Sequence, residues 1–210
     1  MELDQNEMHK MLDFWQTHQE EKPELTLPEF LQKASAVGSE FEVEPDESLR
    51  TMMDQLQDPN SLEIIDNPKK LKGTLREYQK RGVSWIKFME KLGLNGCLAD
   101  DMGLGKTVEV IAWLVVEKGF SKKFFSTLLI APTSVVGNWQ KEIEKFAPHL
   151  KVIVHHGSGR IQDEQEFKNI SINSDVLITS FALARKDGKL LEGINWHRIV
   201  LDEAQNIKNP

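Results

Sequence analysis

The octapeptide Asp100-Asp101-Met102-Gly103-Leu104-Gly105-Lys106-Thr107 decides the fold of this chain. It follows a short apolar run at residues 96–99, which predicts a buried strand, and precedes a helical pattern over residues 108–118. The two glycines allow the backbone to curl so that successive N–H groups point inward, and the helix beginning near Gly105 adds the positive end of its dipole. Such a strand, loop and helix predict a site for the phosphates of a nucleotide.

Two side chains of this loop are expected to bind the phosphates and the metal ion. Lys106 supplies a positive charge for the outer phosphates, and Thr107 supplies a hydroxyl for Mg²⁺. The residues expected to contact the nucleotide are Asp101, Met102, Gly103, Leu104, Gly105, Lys106 and Thr107. The strict phosphate-loop pattern has glycine where this chain has Asp100, so the reduced pattern Gly-x-Gly-Lys-Thr remains. The alternative interpretation is a glycine-rich turn that caps an ordinary helix.

A pair of acids follows a later apolar run. Arg198-Ile199-Val200-Leu201 reads as a buried strand, and Asp202-Glu203 comes directly after it. Carboxylates at the tip of a buried strand are costly unless a cation lies there, and Mg²⁺ fits that requirement. Asp202 would hold the metal through its water shell, while Glu203 would orient or deprotonate the water that attacks the terminal phosphate. By itself such a pair is also a common helix N-cap.

The segments that carry a family resemblance are Leu75-Arg76-Glu77-Tyr78-Gln79, the loop at residues 100–107, Ile130-Ala131-Pro132-Thr133-Ser134 with Trp139, residues 175–180, and Asp202-Glu203-Ala204-Gln205. In this order they resemble the Swi/Snf-like ATPases of helicase superfamily two, over about residues 70–210. The resemblance implies the first of two RecA-like lobes and an ATP- and Mg²⁺-dependent activity on DNA. Asp100, which broke the strict pattern, is what this family usually has at that position.

The resemblance also implies roles for single residues. Gln79 is similar to the glutamine that reads the adenine edge, although a solvated helix residue would explain it equally. Thr133 and Ser134 are candidates for a DNA phosphate contact, but Ser134 would also serve as an ordinary helix cap. Thr179 and Ser180 resemble a further DNA contact of the family.

The alternation of patterns predicts the architecture. Strands are expected at residues 96–99, 127–131, 151–155, 175–179 and 198–201, with helical patterns between them. Such alternation predicts an α/β fold, a mostly parallel sheet with helices on both faces. Ligands of these sheets bind beyond the carboxyl ends of the strands, where both the phosphate loop and the acidic pair would lie.

The tryptophans are predicted to pack in the core, and the paired histidines do not complete a metal site. Trp85, Trp113, Trp139 and Trp196 lie within apolar patterns, which favours positions in the core. His155-His156 suggests a metal site, but no cysteine and histidine spacing completes one.

Charge divides the chain into two parts. Residues 1–66 contain 4 basic and 17 acidic side chains, whereas residues 67–210 contain 22 basic and 16 acidic ones, within a net charge of -7. We therefore predict an acidic, mainly helical accessory extension at residues 1–68, with helices near residues 3–17, 28–37 and 46–56, and a basic ATP-binding lobe at residues 69–210. A basic lobe suits a phosphate backbone.

The chain reaches Pro210 just after the acidic pair, before the second lobe that the resemblance implies. We expect a first lobe truncated at its C-terminal end, with hydrolysis nearly absent until the second lobe is present. The predicted function is that of a duplex translocase that displaces an unidentified protein from double-stranded DNA. A strand-separating helicase and a non-catalytic nucleotide- or partner-binding module are the alternatives. The single cysteine and the lack of a membrane-length apolar run predict a cytoplasmic protein, nucleoid-associated if bacterial, with no membrane partner.

Overall fold

The computed structural model describes Glu47, Thr51, Asp54 and residues 62–101, 103–120 and 126–207. The helices are α1 (Glu77–Lys91), α2 (Lys106–Phe120), α3 (Val136–Phe146), α4 (Glu164–Ile172), α5 (Phe181–Lys186) and α6 (Gly188–Glu192). The strands are β1 (Thr127–Ala131), β2 (Val152–His155), β3 (Val176–Ser180) and β4 (Arg198–Leu201), and a short 3-10 helix spans Ala204–Asn206.

The four strands form one parallel sheet in the order β2-β3-β1-β4. In the register, Ala131 pairs with Ser180, Ile130 with Leu201, and His155 with Thr179. The strands therefore end together at one edge of the sheet. This confirms the predicted α/β class, and it places the segments after β1, β3 and β4 side by side.

Two apolar clusters cover opposite faces of the sheet. Successive residues of a strand point to opposite faces, so Leu129 belongs to the cluster with α2 and α3, whereas Leu128 belongs to the other cluster. Trp113, Trp139 and Ile143 pack on the first face, and Phe167 and Leu191 pack on the second. Helices on both faces are thus a consequence of strands that direct apolar side chains to both faces of the sheet.

Local sequence explains where the helices begin. Val136, Trp139 and Ile143 recur at helical spacing and are all buried, which makes α3 amphipathic. Asp163 caps α4 because its carboxylate accepts a hydrogen bond from the backbone N–H of Glu166. Val135 is the N-cap residue of α3 and makes no side-chain cap bond, so the prediction of Ser134 as the cap was wrong.

One predicted strand is absent from the described part of the sheet. Residues 96–99 have no strand assignment, and Cys97 is exposed although the pattern predicted a buried strand residue. A run of four apolar or small residues between Asn95 and Asp100 is too short for its periodicity to distinguish a strand from an extended loop. The predicted strand at residues 198–201 is present, but its complete burial was wrong, because Ile199 and Leu201 are 56% and 43% exposed.

Contact clustering divides the chain into two compact units. One contains residues 1–61 and 89–96, and the other contains residues 62–88 and 97–210. Glu47, Thr51 and Asp54 are helical, in agreement with the predicted third helix of the extension, whereas the two earlier predicted helices lie outside the described residues. Among the described helices, none has the length and apolar character needed to cross a bilayer.

Candidate functional site

The phosphate loop has the backbone shape that its glycines predict. Gly103 and Gly105 each have a φ of 87°, a left-handed backbone conformation that residues with a Cβ rarely adopt. Helix α2 begins immediately afterwards at Lys106, so its first backbone N–H groups lie at the loop. Met102 lies outside the described residues, and its predicted contact with the nucleotide stays a prediction.

Helix α1 holds this loop through two side chains. Tyr78 Oη and Gln79 Nε2 both donate hydrogen bonds to the carbonyl oxygen of Leu104, at 3.0 and 3.1 Å. Gln79 Oε1 accepts from the backbone N–H of Arg76 at 3.0 Å, and the residue is buried. A Cβ on Gly105 would lie 2.5 Å from Gln79 Nε2. Gln79 is therefore in contact with the loop and is not a solvated helix residue, and its contact with adenine stays a prediction.

Lys106 is directed back into its own loop. Its ammonium group donates hydrogen bonds to the carbonyl oxygens of Asp100 and Asp101, the second at 3.0 Å. Both aspartate residues are exposed, and Thr107 is half-buried one position further along α2. An ammonium held only by neutral carbonyls can exchange them for anionic phosphate oxygens, which are stronger acceptors.

The acidic pair follows β4 at the carboxyl edge of the sheet. The backbone N–H of Asp202 donates to the carbonyl oxygen of Ile130 at 2.9 Å, which extends the β1 pairing by one residue. Glu203 has φ 51° and ψ 51°, the only positive φ among the described non-glycine residues. Its carboxylate accepts a hydrogen bond from the Gln205 amide. Strained backbone of this kind occurs most often where function requires it.

The oxygen donors suit Mg²⁺. A threonine hydroxyl, from Thr107, and a carboxylate, from Asp202, are hard ligands of the kind that this ion takes together with water and phosphate oxygens. Both residues are half-buried, so each remains accessible from solvent. The oxygen donors of these two residues therefore fit the ligand chemistry of Mg²⁺.

The sequence reasoning missed the partner of Asp202. Trp139 of α3 donates its indole N–H to Asp202 Oδ2 at 2.7 Å, and Trp139 is 4% exposed. It was predicted as a core residue, and it does pack in the first apolar cluster. The partner of its indole N–H could not be predicted from the sequence, because Trp139 and Asp202 are far apart along the chain.

Glu109 was also missed. It lies on α2 with an exposed fraction of 0%, and neither carboxylate oxygen has a hydrogen-bond partner within the part of the chain that the structure describes. Burial raises the pKa of Glu109 from 4.5 to about 7, repulsion from Asp100 adds to this, and Lys106 opposes it. Gly82 of α1 faces it, since a Cβ there would lie 2.5 Å from Glu109 Oε2.

The candidate DNA contacts fall into two groups. Thr133 and Ser134 are exposed in the turn between β1 and α3. Thr179 is fully buried and donates its hydroxyl to the carbonyl oxygen of His155 at 3.1 Å, while Ser180 is 1% exposed and accepts from the N–H of Leu183 at 3.3 Å. The first pair can be reached by a duplex as the structure stands, whereas the second pair has structural roles.

A buried ion cluster fixes the loop after β2. Asp187 accepts hydrogen bonds from Arg160 Nε at 2.6 Å and Nη2 at 3.1 Å, and its Oδ2 lies 2.9 Å from His155 Nε2. The guanidinium of Arg160, assisted by His155 and opposed by burial, lowers the pKa of Asp187 to about 2. His155 is thus a packed partner of a carboxylate.

Comparison with known proteins identifies the family. Residues 78–210 match the model of the SNF2-related domain, and the chain belongs to this family. It is 40% identical over 181 residues to the ATP-dependent helicase/translocase YwqA of Bacillus subtilis, covering 86% of this chain and 19% of that protein. It is 36% identical over 200 residues to the helicase SWR1 of Candida albicans, covering 83% of this chain and 12% of that protein.

Solved structures agree with this assignment. The SWI2/SNF2 ATPase core of Sulfolobus solfataricus in complex with double-stranded DNA is 42% identical, with a TM-score of 0.61 over 70% of this chain and 30% of that one. A second structure, the SWI2/SNF2 ATPase core domain of Sulfolobus solfataricus, is 41% identical, with a TM-score of 0.61 over 73% of this chain and 30% of that one. The parallel sheet with its flanking helices is therefore the RecA-like lobe of such cores. The chain spans less than a third of the length of each of these relatives.

Proposed function

We propose that this chain is the ATP-binding lobe of a DNA-dependent ATPase that moves along duplex DNA and remodels protein-DNA complexes. The observation that carries the proposal is the contact of Gln79 with the phosphate loop, together with an acidic pair at the carboxyl edge of the sheet. Family membership and the DNA-bound structural relative support the same class of activity.

Packing of α2 along β4 supports a single site. Glu117, near the end of α2, accepts two hydrogen bonds from Arg198 at the beginning of β4, at 2.8 and 2.9 Å. The Arg198 guanidinium also lies 5.8 Å from the ring centroid of Trp113, one turn earlier on α2. The later part of α2 therefore contacts the amino end of β4. We infer that α2 begins, at Lys106, near the carboxyl end of β4, where Asp202 follows.

The residues then divide the chemistry as the family resemblance implies. Gln79 can donate to and accept from an adenine edge, and the loop N–H groups with Lys106 hold the phosphates. Thr107 and Asp202 would hold Mg²⁺, which neutralises charge on the phosphate oxygens. Glu203 would leave the Gln205 amide to orient the attacking water. Hydrolysis requires the second lobe, because that lobe supplies the cations that stabilise charge during phosphoryl transfer.

Calorimetric titration with Mg²⁺ and a non-hydrolysable ATP analogue tests the site. We expect Lys106→Ala to weaken binding by about 10- to 100-fold, the worth of hydrogen bonds to a charged group. Lys168→Ala, at an exposed position on α4, is the matched control and should bind like the original chain. Equal affinities for both variants would remove the nucleotide site.

Turnover is tested in a protein that contains both lobes. Glu203→Gln should keep nucleotide binding and abolish DNA-stimulated hydrolysis, because the amide cannot act as a base. Displacement of a protein roadblock from duplex DNA, without separation of the strands, would support the translocase. Efficient unwinding would favour a strand-separating helicase, and binding without any turnover would leave a nucleotide-binding module. A cytoplasmic location, at the nucleoid in a bacterium, belongs to this proposal.

A further inference from the structure

The carboxylate of Asp202 is held from two directions by one segment of chain. Its backbone N–H donates to Ile130, the fourth residue of β1, and its Oδ2 accepts the indole N–H of Trp139 on α3. Residues 130–139 therefore contact both the main chain and the side chain of the residue that would hold the metal. With Oδ2 taken by the indole, Oδ1 is the oxygen that can face a metal or its water shell.

Trp139 itself has little freedom. It is 4% exposed within the first apolar cluster, and its backbone N–H donates to Val135 at 3.0 Å. The backbone N–H of Val135 in turn donates to the carbonyl oxygen of Pro132 at 3.0 Å, so backbone hydrogen bonds link Trp139 to the turn that contains Thr133 and Ser134. A rotamer locked by packing is what allows a neighbouring side chain to fix the orientation of a metal ligand.

The chemistry of the bond matches this role. An indole N–H can only donate and Asp202 Oδ2 accepts, so the bond fixes the direction in which the Asp202 carboxyl group faces. A packing residue would need no such donor, since phenylalanine fills a similar apolar space. Trp113 makes the contrast, because it is buried in the same cluster and its Nε1 has no partner among the described residues.

We propose that Trp139 is a positioning residue that orients Asp202 for Mg²⁺ and ties this carboxylate to the helix that begins at the exposed turn of Thr133 and Ser134. This inference rests on the proposed function, because it assumes that a nucleotide and a divalent cation bind at the phosphate loop. It adds to that function a residue outside the metal and phosphate ligands, with a specific bond through which it acts.

The test compares three conservative substitutions of tryptophan in this chain. Trp139→Phe removes the bond to Asp202 and keeps an aromatic ring. Trp113→Phe removes an indole N–H for which the described residues offer no partner. Trp196→Phe removes a hydrogen bond of 2.8 Å to the carbonyl oxygen of Leu191, on the other face of the sheet.

The measurement is the Mg²⁺ concentration that gives half-maximal binding of a non-hydrolysable ATP analogue, with a parallel titration in EDTA. We expect Trp139→Phe to raise this concentration by about tenfold or more, the usual cost of losing a group that orients a metal ligand. Metal-free binding by that variant should be unchanged. Both control variants should keep the original Mg²⁺ dependence, and a purely structural role would instead alter binding with and without metal alike.

Each outcome decides between the two proposals. Failure of the unsubstituted chain to bind the analogue with Mg²⁺ would overturn the proposed function and this inference together. Binding by the unsubstituted chain with the same Mg²⁺ dependence in Trp139→Phe and Trp113→Phe would overturn the inference and leave the function standing.

A measurement on the unsubstituted chain covers the case in which Trp139→Phe does not fold. The indole N–H resonance of Trp139 in a nitrogen-edited NMR spectrum should shift when Mg²⁺ is added to the nucleotide-bound chain, and the Trp196 resonance should not. If the chemical shift of the Trp139 indole N–H does not change when Mg²⁺ is added, the positioning role is refuted.

Discussion

Replacing Glu109 with glutamine tests whether a buried, unpartnered carboxyl group destabilises this lobe at neutral and alkaline pH. The side chain is fully buried on α2 and neither oxygen has a partner among the described residues. Its pKa is raised from 4.5 to about 7, first by burial and then by Asp100. Glutamine has the same shape and no charge, so the substitution removes ionisation while it keeps the packing against Gly82.

The sign follows from proton binding. Between pH 4.5 and about 7 the folded state holds the Glu109 proton and the unfolded state has released it. The free energy of unfolding therefore falls as pH rises through this interval, and the full penalty is present above it. A pKa difference of this size corresponds to about 3 kcal/mol at most, since one unit is worth about 1.4 kcal/mol.

At pH 5 both chains bury a neutral polar side chain without partners among the described residues, the protonated carboxyl group in one and the amide in the other. We therefore expect the two chains to differ little at pH 5 and the variant to be more stable at pH 8. The difference between the two chains should change by about 2 to 3 kcal/mol in favour of the variant across this range.

Urea unfolding followed by circular dichroism at pH 5, 6, 7 and 8 measures the difference. Glu192→Gln is the control, because Glu192 is exposed on α6 and a substitution there keeps the pH dependence of the original chain. If the stability curves of Glu109→Gln and the original chain run parallel from pH 5 to pH 8, the carboxyl group is ionised in the folded state and the reasoning is wrong.

Three further predictions concern the loops at the carboxyl edge of the sheet. Asp187→Asn should destabilise the chain by about 2 kcal/mol at pH 7, since its pKa is lowered to about 2, and urea unfolding should show this loss shrinking as pH falls from about 4 toward that value. Gly105→Ala should weaken nucleotide binding in calorimetry more than Gly103→Ala does. Both positions have a φ of 87°, but only the first would bring a Cβ within 2.5 Å of a glutamine amide, so equal losses would exclude the clash as the cause. Thr133→Ala with Ser134→Ala should lower duplex affinity in fluorescence anisotropy and leave its salt slope nearly unchanged, because neutral hydroxyls release no counterions, and an unchanged affinity would contradict the phosphate contact.

Much of the site could be predicted from the sequence because its parts are local. The phosphate loop combines glycines that require positive φ with a following helix, and both are written within eight residues. The acidic pair depends on one strand and the two residues after it. Gln79 needed the resemblance as well, since its helix pattern alone suggested a solvated residue, and the structure places it on the loop.

The errors have the same physical origin. Residues 96–99 have strand-like composition, yet a short run forms a strand only if a neighbour supplies hydrogen bonds, and composition does not report the neighbour. Thr179 was proposed as a DNA contact from the family resemblance, and the sequence did not report that the register opposite His155 buries it completely.

By itself, the sequence determined the parallel α/β class, the phosphate loop and the order of the motifs, because periodicity and turn chemistry act over a few neighbouring residues. The tertiary structure alone decided that Trp139 donates to Asp202, that Glu109 is buried with no partner in the described part of the chain, and that Asp187 joins Arg160 to His155. These arrangements join residues distant along the chain, or depend on which helix covers which face. Their energies come from desolvation and hydrogen-bond geometry that exist only after the sheet and its helices have packed.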